Sequence, residues 1–141
     1  MVDGADGRLI DFEFAGYRHA LSDAAVLHVP GSMWVTVADP VPTVNENEYR
    51  AAACRGLPAA EDDRSFGLGI AAGYLAFAIM RLSRLAQLES RPSGDKSRPQ
   101  MVATLEAASA AAEGHRSLPH LSGWARRIAG TLRRPLAGRR H

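Results

Sequence analysis

Asp11 and Glu13 are the residues best suited to chemistry. They stand two apart in the apolar run Leu9-Ile10-Asp11-Phe12-Glu13-Phe14. Alternate residues of an extended chain share a face, so a strand here turns both carboxylates the same way. An acid inside an apolar strand is costly to bury unless it is paired or holds a cation. Two carboxylates on one face make a hard oxygen site, of the kind Mg²⁺ takes through one or two carboxylates plus substrate phosphates. Spacing alone leaves a second reading open, in which two solvated acids blunt an edge strand.

Other residues carry weaker signals. Ser22 or Asp23 can cap a short helix that Pro30-Gly31 would end. Gly67, Gly69 and Gly73 follow no strand and sit in an apolar stretch, so close helix packing is expected of them rather than a phosphate loop. His19, His28, His115, His120 and His141 show no ligand spacing such as i, i+4, and zinc is not expected. Cys54 stands near Arg50 and Arg55, which can lower a thiol pKa, but no paired histidine is evident and an inert thiol is expected. Met33, Trp34 and Val35 suit either a cleft wall or a satellite core patch. Arg126, Arg127, Arg133, Arg134, Arg139 and Arg140 read as a solvated helix face and tail. No binding motif frames them as a specific nucleic-acid site.

The elements that must position these residues follow from pattern. Asp/Gly clusters over 3–7 make a turn, and Leu9–Phe14 a short strand. A short helix over about 22–29 and an irregular crossing over 32–44 come next. Asn45–Arg55 reads as a helix with an acidic first turn, Glu46 and Glu48, stopped by Gly56. Ser65–Leu88 is the longest expected helix, apolar on every side at first and therefore buried all round. A polar linker spans 90–99. Two amphipathic stripes close the chain: Met101, Leu105, Ala108 and Ala112, then Leu118, Leu121, Ala125, Ile128 and Leu132, with Trp124 at the edge. The short Gly114–Pro119 turn between them predicts an antiparallel pair.

Composition bounds the whole. The 141 residues, 46% hydrophobic and 23% charged, suit one globular domain. One cysteine excludes a disulfide framework and fits a reducing, cytoplasmic setting. The opening residues do not resemble a signal peptide. The longest uncharged run, Ser65–Met80, has 16 residues and three glycines, short of the ~20 a membrane span wants, so no membrane is expected. The net charge of +2 hides an asymmetry: residues 1–63 hold eleven acids and four bases, residues 64–141 four acids and thirteen bases.

The string Leu9-Ile10-Asp11-Phe12-Glu13-Phe14-Ala15-Gly16-Tyr17, with Asp23 twelve residues beyond Asp11, resembles a known motif. It is similar to the metal-binding segment of the aminoglycoside phosphotransferase and choline/ethanolamine kinase superfamily, small-molecule relatives of the protein kinases. That segment reads Ile-Asp-Phe/Trp-Glu, a variable turn, then an Asp opening a helix. The resemblance is sharp over Arg8–Leu27 and general beyond it.

It implies an α+β, predominantly helical chain: a partial C-terminal lobe of a protein-kinase-like fold over 1–132, with a short N-terminal strand pair followed by a helical bundle, and a basic tail over 133–141. It implies that Asp11 holds Mg²⁺ bridging the phosphates of ATP, neutralising charge on the transferring group. Glu13 would be a second metal-side carboxylate or its outer partner. Asp23 would brace the catalytic loop by accepting backbone N–H bonds, which is compatible with a plain helix cap. The partners implied are ATP and a small molecule bearing a hydroxyl.

The chain departs from the family's pattern in two ways. No His-x-Asp occurs anywhere in it, so the base that accepts the hydroxyl proton is missing. The nucleotide lobe's Gly-rich loop and strand lysine are missing too, since the one lysine, Lys96, lies in the linker. The expectation is a C-terminal part of a phosphotransferase, inactive alone, whose N-terminal half is supplied elsewhere or lost. The alternative is a non-catalytic helical interaction module.

Overall fold

The computed structural model describes residues 2–3, 6–7, 21–22, 42–89 and 97–134. It is predominantly helical. A minimal antiparallel hairpin pairs β1 (Val2–Asp3) with β2 (Asp6–Gly7), Val2 opposite Gly7 and Asp3 opposite Asp6. The helices are α1 (Pro42–Ala53), α2 (Asp63–Leu82), α3 (Leu85–Glu89), α4 (Ser97–Gly114) and α5 (Pro119–Arg133), with a 3-10 turn at Pro58–Ala60. The expected strand over Leu9–Phe14, the helix over 23–29 and the Met33-Trp34-Val35 patch lie outside the described residues.

Several boundaries differ from expectation. Helix α1 starts at Pro42, inside the stretch read as an irregular crossing. Proline suits a first helical position, because its φ is already helical and the N–H it lacks would have no partner there. Glu46 and Glu48 therefore fall in the second turn and not the first. Helix α4 likewise starts inside the expected linker, at Ser97. The long apolar helix begins earlier than Ser65, because Asp62 caps it by accepting the Ser65 N–H at 2.7 Å. The Ser65 hydrogen bonds hold the Asp62 carboxyl below its ordinary range. Its capping contribution is thus complete above the ordinary carboxylate pKa of ~3.9 and fades as the pH falls through the lower folded-state value.

The same helix ends sooner than expected. The Ser83 hydroxyl donates to the Met80 carbonyl at 2.7 Å and the chain turns through Ser83–Arg84 before α3. Nor is α2 buried all round. Phe66, Ile70, Tyr74, Leu75 and Ala78 face the core, while Leu68, Ile79 and Met80 are exposed. Periodicity could not show this, because the uncovered side is as apolar as the covered one.

Helices α4 and α5 form the antiparallel pair the short turn predicts. Ser109 meets Ser122, Glu106 meets Arg133, and Arg98 reaches the carbonyl of Leu132, so residue numbers rise on one helix as they fall on the other. All four residues of the α4 stripe are buried. The α5 seam is rotated from the expected one: Ser122, Ala125, Ala129 and Leu132 are buried, whereas Leu121 is exposed and Ile128 half-buried. Small residues win the seam because they let two backbones approach closely. The reversal between the helices closes in a Schellman motif, in which the Ser117 N–H bonds the Ala112 carbonyl and the Arg116 N–H that of Glu113. Arg116 and Leu118 both take left-handed backbone, at φ 50°.

Helix α4 packs on α2 as well as on α5, so the core is a three-helix layer around Leu105, Tyr74, Ile70 and Leu75. A fully buried Leu side chain is worth about 2 kcal/mol. Leu21, fully buried, brings a fourth piece of chain onto α2. It crosses at Gly69 and Gly73. A Cβ on Gly69 would collide with the Leu21 side chain, and one on Gly73 would lie 3.0 Å from the Ser22 Cα and 3.1 Å from the Leu21 carbonyl oxygen. A Cβ on Gly67 would lie 3.1 Å from that of His115. These three glycines serve close packing, as their place in an apolar helix suggested.

A paired substitution tests the crossing. Gly130→Ala, in α5 with open space around the new Cβ, should stabilise the protein by up to about 1 kcal/mol through helix propensity alone. Gly73→Ala gains the same term but must displace backbone, at about 1–3 kcal/mol, so its net effect should be a loss of about 1 kcal/mol. Urea unfolding of both variants reads the opposite signs. Stabilisation by Gly73→Ala would mean that Leu21–Ser22 does not rest there.

Candidate functional site

The three residues singled out by sequence, Asp11, Glu13 and Asp23, lie outside the described residues. What is on the page is the ground beside Asp23: Leu21 and Ser22 seated on the α2 glycines. Among the described residues, no group of three or more His, Cys, Asp or Glu side chains stands ready to hold a metal. Three polar constellations occur, and sequence reading had singled out none of them.

The first joins α1, α2 and the α4–α5 turn. His115 Nε2 lies 3.0 Å from Glu46 Oε2, a contact across 69 residues. Both side chains are mostly buried, at 23% and 15% exposure. The His115 ring meets Phe66 edge-on, with centroids 6.1 Å apart. Its Nδ1 lies against Gly67, where a Cβ would stand 3.2 Å away. A carboxylate orienting an imidazole is half of a general-base arrangement. The other half would be a hydroxyl or thiol at the second nitrogen, and at Nδ1 the structure has helix backbone. The pair therefore works as a latch between elements.

Arg50 completes that corner. Its Nε donates to the Ala60 carbonyl at 2.7 Å and its Nη2 to the Glu61 carbonyl at 2.8 Å. Its Nη1 pairs with the Asp63 carboxylate at 2.6 Å, and the guanidinium carbon sits 4.9 Å from the centre of the Phe66 ring. One guanidinium thus ties α1 to the 3-10 turn and to the start of α2. A planar fork of donors can do this where a single ammonium cannot.

The second constellation lies in the α4–α5 seam. The Ser109 and Ser122 hydroxyls are 3.0 Å apart, and the Ser122 hydroxyl reaches Glu113 Oε1 at 2.8 Å. Ser109 also bonds the Ser122 carbonyl at 3.1 Å, and Arg126 pairs with Glu113. The serines are 3% and 1% exposed and have no histidine beside them, so their chemistry is to satisfy one another and not to attack a substrate.

The third is a groove of about 510 Å³ where the start of α4 meets the end of α5. Pro99, Val102, Ala103 and Leu132 wall it, and Arg98, Arg133 and Glu106 edge it. Arg98 Nε donates to the Leu132 carbonyl at 2.9 Å, satisfying a helix end that lacks an internal partner. Arg133 pairs with Glu106 at 2.5 Å. These cations are engaged in holding helix ends together.

No family model, no curated protein and no solved structure matches this chain.

The α1 corner makes a measurable claim. Arg50→Ala removes two charge-assisted bonds to backbone carbonyls. After allowance for partial exposure, it should cost about 2 kcal/mol in urea unfolding. Arg50→Lys should recover less than half of that, because one ammonium cannot reach three acceptors and the ring. Hydrogen exchange should show α1 amides opening first in both variants. Full rescue by lysine would mean that charge alone, and not the fork, holds the corner.

Proposed function

We propose that this chain supplies the metal-side part of an ATP-dependent phosphotransferase acting on a hydroxyl of a small molecule. One observation carries the reading: the string Ile10-Asp11-Phe12-Glu13 with Asp23 twelve residues after Asp11. Asp11 is the carboxylate that would hold Mg²⁺ against the nucleotide phosphates, and Glu13 its companion. The metal, when bound, neutralises charge on the transferring group. Asp23 would brace the neighbouring loop, and the seat of Leu21–Ser22 on α2 supports a fixed anchor two residues before it. The fold at the finer level would be the C-terminal lobe of a protein-kinase-like enzyme. The base and the nucleotide lobe, for which the 141 residues hold no motif, would come from another polypeptide.

A second reading, a non-catalytic interaction module, is favoured by one feature, the exposed apolar side of α2. The two readings part on metal binding. In the first, Mn²⁺ used as a spectroscopic stand-in for Mg²⁺ binds the chain weakly, Asp11→Ala abolishes the binding, and ATP is not turned over by the chain alone. A His-Gly-Asp coding string in the DNA just upstream of the Met1 codon, in any frame, would add to it. Mn²⁺ binding unchanged by Asp11→Ala would remove the basis of the reading. ATP hydrolysis that depends on Asp11 would show that the chain is active by itself.

A further inference from the structure

Helix α2 presents a row that nothing among the described elements covers: Leu68, Ala72, Ala76 and Ile79, all exposed, at spacings of four, four and three. Such spacing places them on one face. Leu21–Ser22 occupies the adjoining face at Gly69 and Gly73 and leaves the row open. Leu68 and Ile79 are 46% and 45% exposed, far above what apolar side chains of a core helix show.

The row is symmetric about its own middle. Large residues stand at its ends and alanines between them, a profile that lets a second helix approach closely at the centre. The ends of the helix carry opposite charge: Glu61 and Asp62 are exposed before its first turn, and Arg84 is exposed just beyond its last. The midpoints of Leu68 with Ile79, of Ala72 with Ala76 and of Glu61 with Arg84 all fall between residues 72 and 74. An apolar pair, a small pair and a charged pair are therefore concentric. A surface with that property is complementary to itself under a two-fold axis, which is what an isologous dimer requires.

We infer that α2 pairs antiparallel with the α2 of a second copy of this chain, Leu68 against the partner copy's Ile79 and Glu61 against its Arg84. The parallel arrangement would set acid against acid and arginine against arginine, so charge selects the antiparallel one. A single helix pair makes an interface at the low end of the size range, and the dimer forms at micromolar concentrations. The inference does not depend on the phosphoryl-transfer reading, and Asp11→Ala should dimerise as the unmodified chain does.

Sedimentation equilibrium of the full chain, from about 1 to 500 µM, tests it. A monomer–dimer equilibrium is expected. Ala72→Glu should weaken it at least ~30-fold with unchanged circular dichroism, because residue 72 is exposed. Glu61→Arg and Arg84→Glu should each weaken the dimer, and the double variant should restore it. A monomer at every concentration would overturn the proposal, as would a double variant no better than its parents. Flotation with phosphatidylcholine vesicles, lost in Ala72→Glu and without any dimer, would also overturn it and assign the row to a lipid surface.

Discussion

Close approach between backbones is the constraint on which the rest of this protein depends. The buried faces of α2, α4 and α5 are unusually poor in large residues. Gly67, Ala71, Gly73 and Ala78 on α2, Ala108 and Ala112 on α4, and Ala125 and Ala129 on α5 are all buried. Small side chains bury little area each, so they stabilise a fold only when the helices are near enough for backbone atoms to touch. That nearness explains why buried hydroxyls bond across the seam. Ser109 and Ser122 reach each other and each other's carbonyls, and all of those distances are 3.3 Å or less. A bulkier seam would hold the strands of that network apart and leave two hydroxyls without partners.

Charged groups work at the joints of this layer. Arg50, Arg98, Glu113 and His115 each connect elements that the apolar core leaves loosely joined. Two of them satisfy carbonyls, at the 3-10 turn and at the end of α5, where backbone groups lack internal partners. That is work for a long, forked, permanently charged side chain, and it accounts for part of the arginine content. It also tempers the idea of a basic nucleic-acid surface. Arg126 and Arg133 are paired with Glu113 and Glu106, which are acids of their own neighbour helix.

What sequence could and could not reveal follows from the same physics. The α4 stripe was legible because hydrophobicity and burial coincide on it. The α5 stripe was read one residue off, because Leu121 and Ile128 are more apolar than Ser122 and Ala129, yet the seam selects for size. The end of the long helix was missed because no proline or glycine marks Ser83. The Glu46–His115 contact spans 69 residues and has no local signature. The Asp62 cap was in principle readable, an acid three residues before a serine N–H at the head of an apolar run. The glycines were understood for the right reason, since a glycine within a helical pattern costs stability unless something packs against it.

Helix α2 brings these threads to one element. Three of its faces are set by three different requirements. One is apolar and partly large, and packs on α4. A second is glycine, because the chain bearing Leu21 crosses it at contact distance. The third is apolar and small at its centre, and lies open. The first two faces explain each other: a helix that must accept backbone on one side needs a deep contact on the opposite side to hold it in place, which Ile70, Tyr74 and Leu75 provide. The third face follows from neither. A helix needing solubility there would carry the Arg, Glu and Lys that its neighbours carry, as α5 does with Arg126 and Arg127. Its four exposed apolar positions, uninterrupted by charge from Leu68 to Met80, are best accounted for by a surface that spends its working life covered.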